Sequence, residues 1–169
     1  MYETSDEIEQ LQALLDRSAA GAGPHLSGII TGDRRLPAAD LVSRLQGMVL
    51  LVVATVTTDG RPLVGPVDGY FLHGAFHFSS GRDSVRIRHL TARPAVSASH
   101  VPGESLAVTV HGRADLYELD DPARPALRQA MLDHYVPRQG PQFEEWLDEL
   151  DAVAVRIEPD KMFTFHMDG

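Results

Sequence analysis

Between Phe76 and Leu90 the chain holds the residue types that grip an anion: Ser79, Ser80, Ser84, Arg86 and Arg88 follow one another across a break at Gly81. Phe76 and Phe78 alternate with His77 and Ser79, the pattern of a half-buried strand, and Asp83 or Ser84 stands ready to cap a helix. Gly81 supplies the backbone freedom for the turn between them. A helix N-terminus offers free amides and the positive end of its dipole, so it favours phosphate, with Ser84 and Arg86 in the first turn to reach it. The chain is acidic, at net charge −9, yet Arg82, Arg86, Arg88 and Arg93 crowd this segment against a single carboxylate, Asp83. Such a surplus forms a solvated face, pairs with acidic segments elsewhere, or holds a ligand. Phosphate binding is the reading adopted: charge-assisted hydrogen bonds contribute roughly 1.5–3 kcal/mol each, so a few of them hold a phosphorylated cofactor without a long loop.

The elements that position this corner read mostly as strands. An apolar run from Met48 to Val56 ends at Thr57-Thr58-Asp59-Gly60, and Asp-Gly between apolar stretches marks a hairpin. The returning strand, Pro62 to Leu72, contains Gly65, Pro66 and Gly69, which mark a backbone that is exposed or closely approached by something flat. His73-Gly74 turns into a third strand, Ala75 to Ser79; Arg93-Pro94 stops the cationic helix; Ala95 to Val101 and Leu106 to Tyr117 give the fourth and fifth. Two short strands, Ala152 to Ile157 and Met162 to Phe165, close the chain, and the set predicts a small antiparallel barrel.

Helices surround it. Ile8, Leu11, Leu14 and Leu15 recur at helical spacing before the flexible break Ala19-Ala20-Gly21-Ala22-Gly23-Pro24, so residues 1–35 read as an N-terminal helical extension and 36–169 as the barrel domain. Ala38 to Leu45 forms a second helix with Leu41, Val42 and Leu45 on its buried side. Asp120-Asp121-Pro122 opens another, carried by Leu127, Ala130, Met131 and His134 to about Tyr135. In Gln142 to Leu150, Phe143, Trp146, Leu147 and Leu150 share one side and carboxylates the other, which reads as core packing beneath a solvated face.

At 169 residues and 43% apolar content the chain can bury a sizeable core. Its acidity argues against nucleic acid and anionic membranes as partners. The absence of cysteine removes thiol nucleophiles, disulfides and thiolate metal sites. Met1-Tyr2-Glu3-Thr4-Ser5-Asp6-Glu7 is acidic where a signal peptide is basic, and the apolar run from Met48 is too short for a spanning helix, so a cytoplasmic protein is expected. HExxH, GxSxG and GKS/T motifs are missing, and Leu26 stands where a dinucleotide fingerprint starting at Gly21 needs its last glycine. Any chemistry therefore falls to a bound organic cofactor.

In their order, Ala54-Thr55-Val56 before Asp59-Gly60-Arg61-Pro62, Val64-Gly65-Pro66-Val67, Phe76-His77-Phe78-Ser79, Ser84-Val85-Arg86-Ile87-Arg88-His89-Leu90 and Gly112-Arg113-Ala114 carry a resemblance. From about Leu36 to Phe165 the chain resembles the pyridoxamine 5′-phosphate oxidase-like, FMN-binding split-barrel superfamily, which includes flavin and deazaflavin oxidoreductases. The resemblance implies a mainly β fold with α, a split β-barrel of the FMN-binding type with peripheral helices. It implies an isoalloxazine ring against the backbone of Val64, Gly65, Pro66 and Val67, a phosphate on Ser84, Arg86 and Arg88, and Ser79 and Ser80 near the ribityl chain. It also implies a homodimer with cofactors in the clefts between subunits, the partner contributing through the strand around Thr109 to Arg113.

Two departures narrow the activity. Val85 follows Ser84 where pyridoxine-phosphate oxidases carry Arg-Lys, and the chain ends Phe165-His166-Met167-Asp168 where they carry an arginine-histidine substrate motif. The expectation is an FMN-dependent oxidoreductase, or one using the deazaflavin coenzyme F-420, that moves a hydride to or from a small-molecule redox substrate other than pyridoxine phosphate. The alternative is a non-enzymatic flavin- or haem-binding protein on the same barrel, with His100 or His111 as the haem ligand.

Overall fold

The structure is a computed structural model that describes residues 2–167; Asp168 of the C-terminal departure lies outside them. Alternation of buried and exposed side chains builds β1 (Met48–Val56), which turns through Gly60, at φ +83°, into β2 (Pro62–Leu72). The expected Asp-Gly hairpin is present, tied by Thr57 N–H to the Arg61 carbonyl at 2.9 Å. A second tight turn, His73-Gly74 with φ of +50° and +72°, leads to β3 (Ala75–Gly81). After β4 (Ala95–Gly103) and β5 (Leu106–Glu118), β6 (Ala152–His166) completes a closed barrel in the order β1-β2-β3-β6-β5-β4. Every neighbouring pair is antiparallel.

The two predicted closing strands are one. Opposite Gly112 and His111 the pairing jumps from Pro159 to Lys161, so Asp160 is accommodated as a bulge and the ladder resumes without a turn. Gly112 permits this, because a Cβ there would stand 2.0 Å from the Glu158 carbonyl oxygen.

Phe76, Phe78, Leu51, Val108, Val110 and Ile157 fill the barrel. Helix α1 (Ser5–Ala20), whose Thr4 and Glu7 form a reciprocal capping box, sends Leu11, Leu14 and Leu15 into the same core. Its buried Ser18 hydroxyl donates to the Leu14 carbonyl at 2.8 Å and accepts from the Met162 amide at 3.0 Å, joining helix to β6. The break expected over Ala19–Pro24 narrows to residues 21–23, between α1 and helix α2 (Pro24–Ile29), which Pro24 starts. Helix α3 (Ala38–Arg44) buries Leu41 and Val42 as expected.

Helix α4 (Val85–Ala92) follows β3 directly. Between β5 and β6 lie α5 (Ala126–Gln139) and α6 (Gln142–Glu149). Helix α5 starts later than predicted, because Asp121 accepts from Ala123 N–H in a turn, and it runs past Tyr135 through Pro137. These two helices cover a second core on the barrel's outer wall, where Tyr70, Leu72, Tyr117, Leu127, Phe143 and Leu147 meet.

Candidate functional site

Ser84 is the N-cap of α4. Its backbone is extended, and its hydroxyl accepts the Ile87 amide at 3.2 Å. The Ser80 hydroxyl donates to Ser84 Oγ at 3.0 Å, linking the end of β3 to the cap. Ser84 N–H closes the turn onto the Gly81 carbonyl at 2.9 Å. Gly81 itself is not in the left-handed region, and a Cβ there would meet Asp83 Oδ1 at an ordinary 3.4 Å, so the turn does not depend on the freedom expected of it.

The cationic cluster divides. Arg82 is taken up by acids far away in sequence, its Nη2 2.5 Å from Glu118 Oε2 and its Nε 2.7 Å from Asp151 Oδ1. Arg88 is exposed and turned back onto the Asp83 carbonyl. Arg86 is different: it is half-buried, burial pulls its pKa below the usual guanidinium range, and it has no hydrogen bond or ion pair among the described residues. A buried cation without a counter-charge is costly, and an arriving anion removes that cost.

Arg86 lies over the second strand. A Cβ built on Gly65 would stand 3.1 Å from Arg86 Nη2, so glycine keeps the space the guanidinium uses. Val64, Gly65, Ser84 and Arg86 line one cavity of about 200 Å³ together with Thr55 and Leu63. Thr55, absent from the sequence-derived set, is buried there and hydrogen-bonded to His89 Nδ1 at 3.0 Å. Its inward alternation within β1 was the one signal that could have found it.

The remaining predicted residues lie elsewhere. Val67 and Ser79 line a larger cavity of about 650 Å³ under α5 and α6. Pro66 is exposed on β2 between the two, the Ser80 hydroxyl is bonded to the cap, and Arg88 faces a third cavity beside Arg82. Phe143 and Leu147 of α6 are buried as expected, but Trp146 is 51% exposed, and it lines the larger cavity with Phe143 and Leu150. The apolar side of α6 is therefore a cavity wall as well as core. Of the two histidines considered for haem, His100 is buried with Nδ1 2.8 Å from the Leu50 carbonyl, and His111 Nδ1 is 2.8 Å from Ser97 Oγ.

The outer face of the barrel beside the small cavity is apolar and open, with Val64 67% exposed and Leu50, Val52 and Val101 also exposed. Val52 is paired with Pro66 on β2 and Ser99 on β4, so these side chains form one continuous sheet face. No helix among the described residues is long and apolar enough to cross a membrane.

Residues 39–164 match the family model described as pyridoxamine 5′-phosphate oxidase. The chain belongs to that oxidase family. A solved structure described as an F420 reductase is 25% identical, with a TM-score of 0.56 over 71% of this chain and 93% of its own. The oxidase-family fold is also seen in a conserved hypothetical protein from Mycobacterium tuberculosis, 19% identical with a TM-score of 0.67 over 80% of this chain and 88% of the other. It is seen again in a haem storage protein from Vibrio cholerae, 20% identical with a TM-score of 0.59 over 79% and 94% of the two chains. No curated protein matches the sequence. The oxidase family's barrel is thus established here, and the residues at the α4 corner fit a phosphorylated flavin: an unpaired half-buried cation, helix amides, and a glycine-cleared strand.

Proposed function

We propose that the chain is a flavin- or deazaflavin-dependent oxidoreductase that holds the cofactor phosphate between Arg86 and the start of α4, with the ring laid along Val64 to Val67. The observation that carries this reading is the half-buried, unpartnered Arg86 over Gly65. FMN and F-420 share a ring and a ribityl phosphate, and either supplies a centre that accepts or gives a hydride. The chain's own work is binding and shielding. Arg86 and the α4 amides neutralise the phosphate. Ser80, by donating to Ser84, frees no acceptor but fixes the cap that aims those amides. The strand from Val64 to Val67 offers backbone groups to the ring, and Val53 and Leu63 close the cavity behind it.

The open apolar face of β1, β2 and β4 supports pairing of two chains, which would bring a second subunit against the exposed side of the site. Light scattering on the purified protein tests this, and a monomer at working concentration would remove it. The cofactor assignment is tested by separate FMN and F-420 titrations followed in the visible spectrum, on the native chain and on Arg86→Ala. Saturable binding of one cofactor, weakened about tenfold or more by the substitution, is expected; equal dissociation constants would sink the assignment.

A further inference from the structure

The larger cavity has a chemistry of its own. Its volume, about 650 Å³, falls within the range that encloses a small organic ligand. One wall is a run of rings: Tyr135 stacks on Phe143 at 4.7 Å, and Phe143 lies against Trp146 at 5.3 Å. Flat walls of this kind favour flat ligands, through offset stacking and apolar burial.

Its polar groups are few and specific. Tyr70 is 2% exposed, lines the cavity, and its hydroxyl is buried without a hydrogen-bond partner among the described residues. Such a hydroxyl loses free energy until something pairs with it. Ser79 donates only to the Met131 sulfur at 3.9 Å, a weak acceptor, and so retains most of its capacity. Tyr135 donates to Asp68 Oδ2. Among the described lining residues Asp68 is the only acidic or basic side chain. Arg138, whose charge acts on Tyr70 and Tyr135, lines the cavity on the other side of Tyr70 and donates to the His134 carbonyl. The cavity therefore offers hydroxyl and amide hydrogen-bonding groups, aromatic walls and a negative charge, with no cationic side chain in its lining to offset the charge of an anion.

We propose that this cavity takes a planar aromatic substrate that is neutral or positively charged and excludes anionic ones, with Tyr70 binding a polar substituent and Asp68 acting as the charge filter. The inference rests on the reading of Val64 to Val67 as the ring's strand, because Val67 lines this cavity and so sets the bound molecule beside that strand. It separates the substrate class from phosphorylated pyridine compounds by the charge of the wall.

Trp146 is the chain's single tryptophan, so its indole N–H gives one resolvable resonance that reports on this cavity. The test is a titration of the full ¹⁵N-labelled chain with three probes of one shape: 2-naphthol, 2-naphthylmethylammonium and 2-naphthalenesulfonate. The first two are expected to shift the indole resonance saturably, and the sulfonate to bind about fivefold more weakly or worse, the size of one unscreened charge contact at the surface. Asp68→Asn should close that gap, and Tyr70→Phe should weaken 2-naphthol about fivefold. An indole unmoved by all three probes, or a sulfonate that binds as tightly as the naphthol, would overturn the proposal. A gap that persists in Asp68→Asn would do the same. The FMN titration of Arg86→Ala on the same preparation keeps the two readings apart. Weakened FMN with no naphthol selectivity removes this proposal alone; selective naphthol binding with unchanged FMN affinity removes the cofactor reading and leaves the selectivity of the cavity standing.

Discussion

The two cavities that flank β2 are built from opposite materials. At the α4 end, one unpaired cation, Arg86, with Ser84 and Thr55, stands among Val53, Leu63, Val64 and Val85 around about 200 Å³. At the α5–α6 end, aromatic rings and one carboxylate, Asp68, surround about 650 Å³. The first gains its discrimination from a cation in a half-buried place, the second from flat aromatic walls and a carboxylate. The same division runs within the arginine cluster: Arg82 is spent on Glu118 and Asp151, while Arg86, one helical turn later, is held free over Gly65. Charge density alone does not identify a binding site; a charge left without its counter-ion does.

The largest expected effect breaks the comparison at its centre. If Arg86 is the phosphate anchor, Arg86→Ala costs about tenfold or more in cofactor affinity, equivalent to at least about 1.4 kcal/mol. Thermal stability should hold or rise, because an unpaired half-buried cation has been removed. A cofactor dissociation constant that does not move while the melting temperature falls would make Arg86 a structural residue and the α4 end no different from any other helix start.

A strand paired with β2 carries a group that answers to pH. His77 of β3 is 5% exposed, with Nδ1 3.1 Å from the Tyr117 hydroxyl. Burial, and then the charges of Arg156, Arg124 and His73, push its pKa down to about 3. In the unfolded chain the imidazole titrates near its ordinary 6.5, so between about pH 6.5 and pH 3 the unfolded state binds the extra proton and stability falls as the pH falls. The slope attributable to one such group is about 1.4 kcal/mol per pH unit. Urea unfolding of the native chain and of His77→Asn from pH 7 to pH 5 checks this: the variant should lose that slope, and parallel curves would mean His77 takes up its proton without unfolding.

A smaller effect sharpens the geometry of the α4 end. In Gly65→Ala the new Cβ stands 3.1 Å from Arg86 Nη2, tight enough that the guanidinium must give by a few tenths of an ångström. Because the contact is the far end of a flexible side chain, folding should be nearly untouched and cofactor affinity reduced by about threefold, less than the loss of a whole charge-assisted bond. An affinity loss as large as that of Arg86→Ala would show that the backbone at Gly65, and not the guanidinium, governs the site.

Much of this was legible in the sequence wherever the determinants are local. The Asp59-Gly60 hairpin and the Ser84 cap each depend on a few adjacent residues, and each is present. The strand through Phe76 and Phe78 is present too, but it is not half-buried, because His77 is packed against Tyr117 of the second core on its other face. What was not legible depends on partners far along the chain. Arg82 and Arg86 are alike as letters, and only the fold brings Glu118 and Asp151, 36 and 69 residues away, to the first and nothing to the second. By pattern one closing strand stops at Ile157 and another starts at Met162, but Gly112 on the facing strand lets β6 absorb the extra residue between them. Trp146 falls on the apolar side of α6, and periodicity cannot tell a side that is sealed from one that faces a cavity.

The smallest effect is expected at Arg82, and it completes the contrast. Its ion pairs with Glu118 and Asp151 are short but largely solvated, with 46% of the Arg82 side chain exposed and 59% and 74% of its partners. Such pairs contribute about 0–1 kcal/mol and are screened by salt. Arg82→Ala should therefore lower stability by less than about 1 kcal/mol at low ionic strength, and by less still at high salt. It should leave cofactor affinity within about twofold of the native value, since a charge already neutralised by two carboxylates adds little to the attraction of an anion. If Arg82→Ala weakens the cofactor as much as Arg86→Ala does, the ion pairs must open on binding, and the cationic segment would act as one phosphate clamp with no division between a spent and a free arginine.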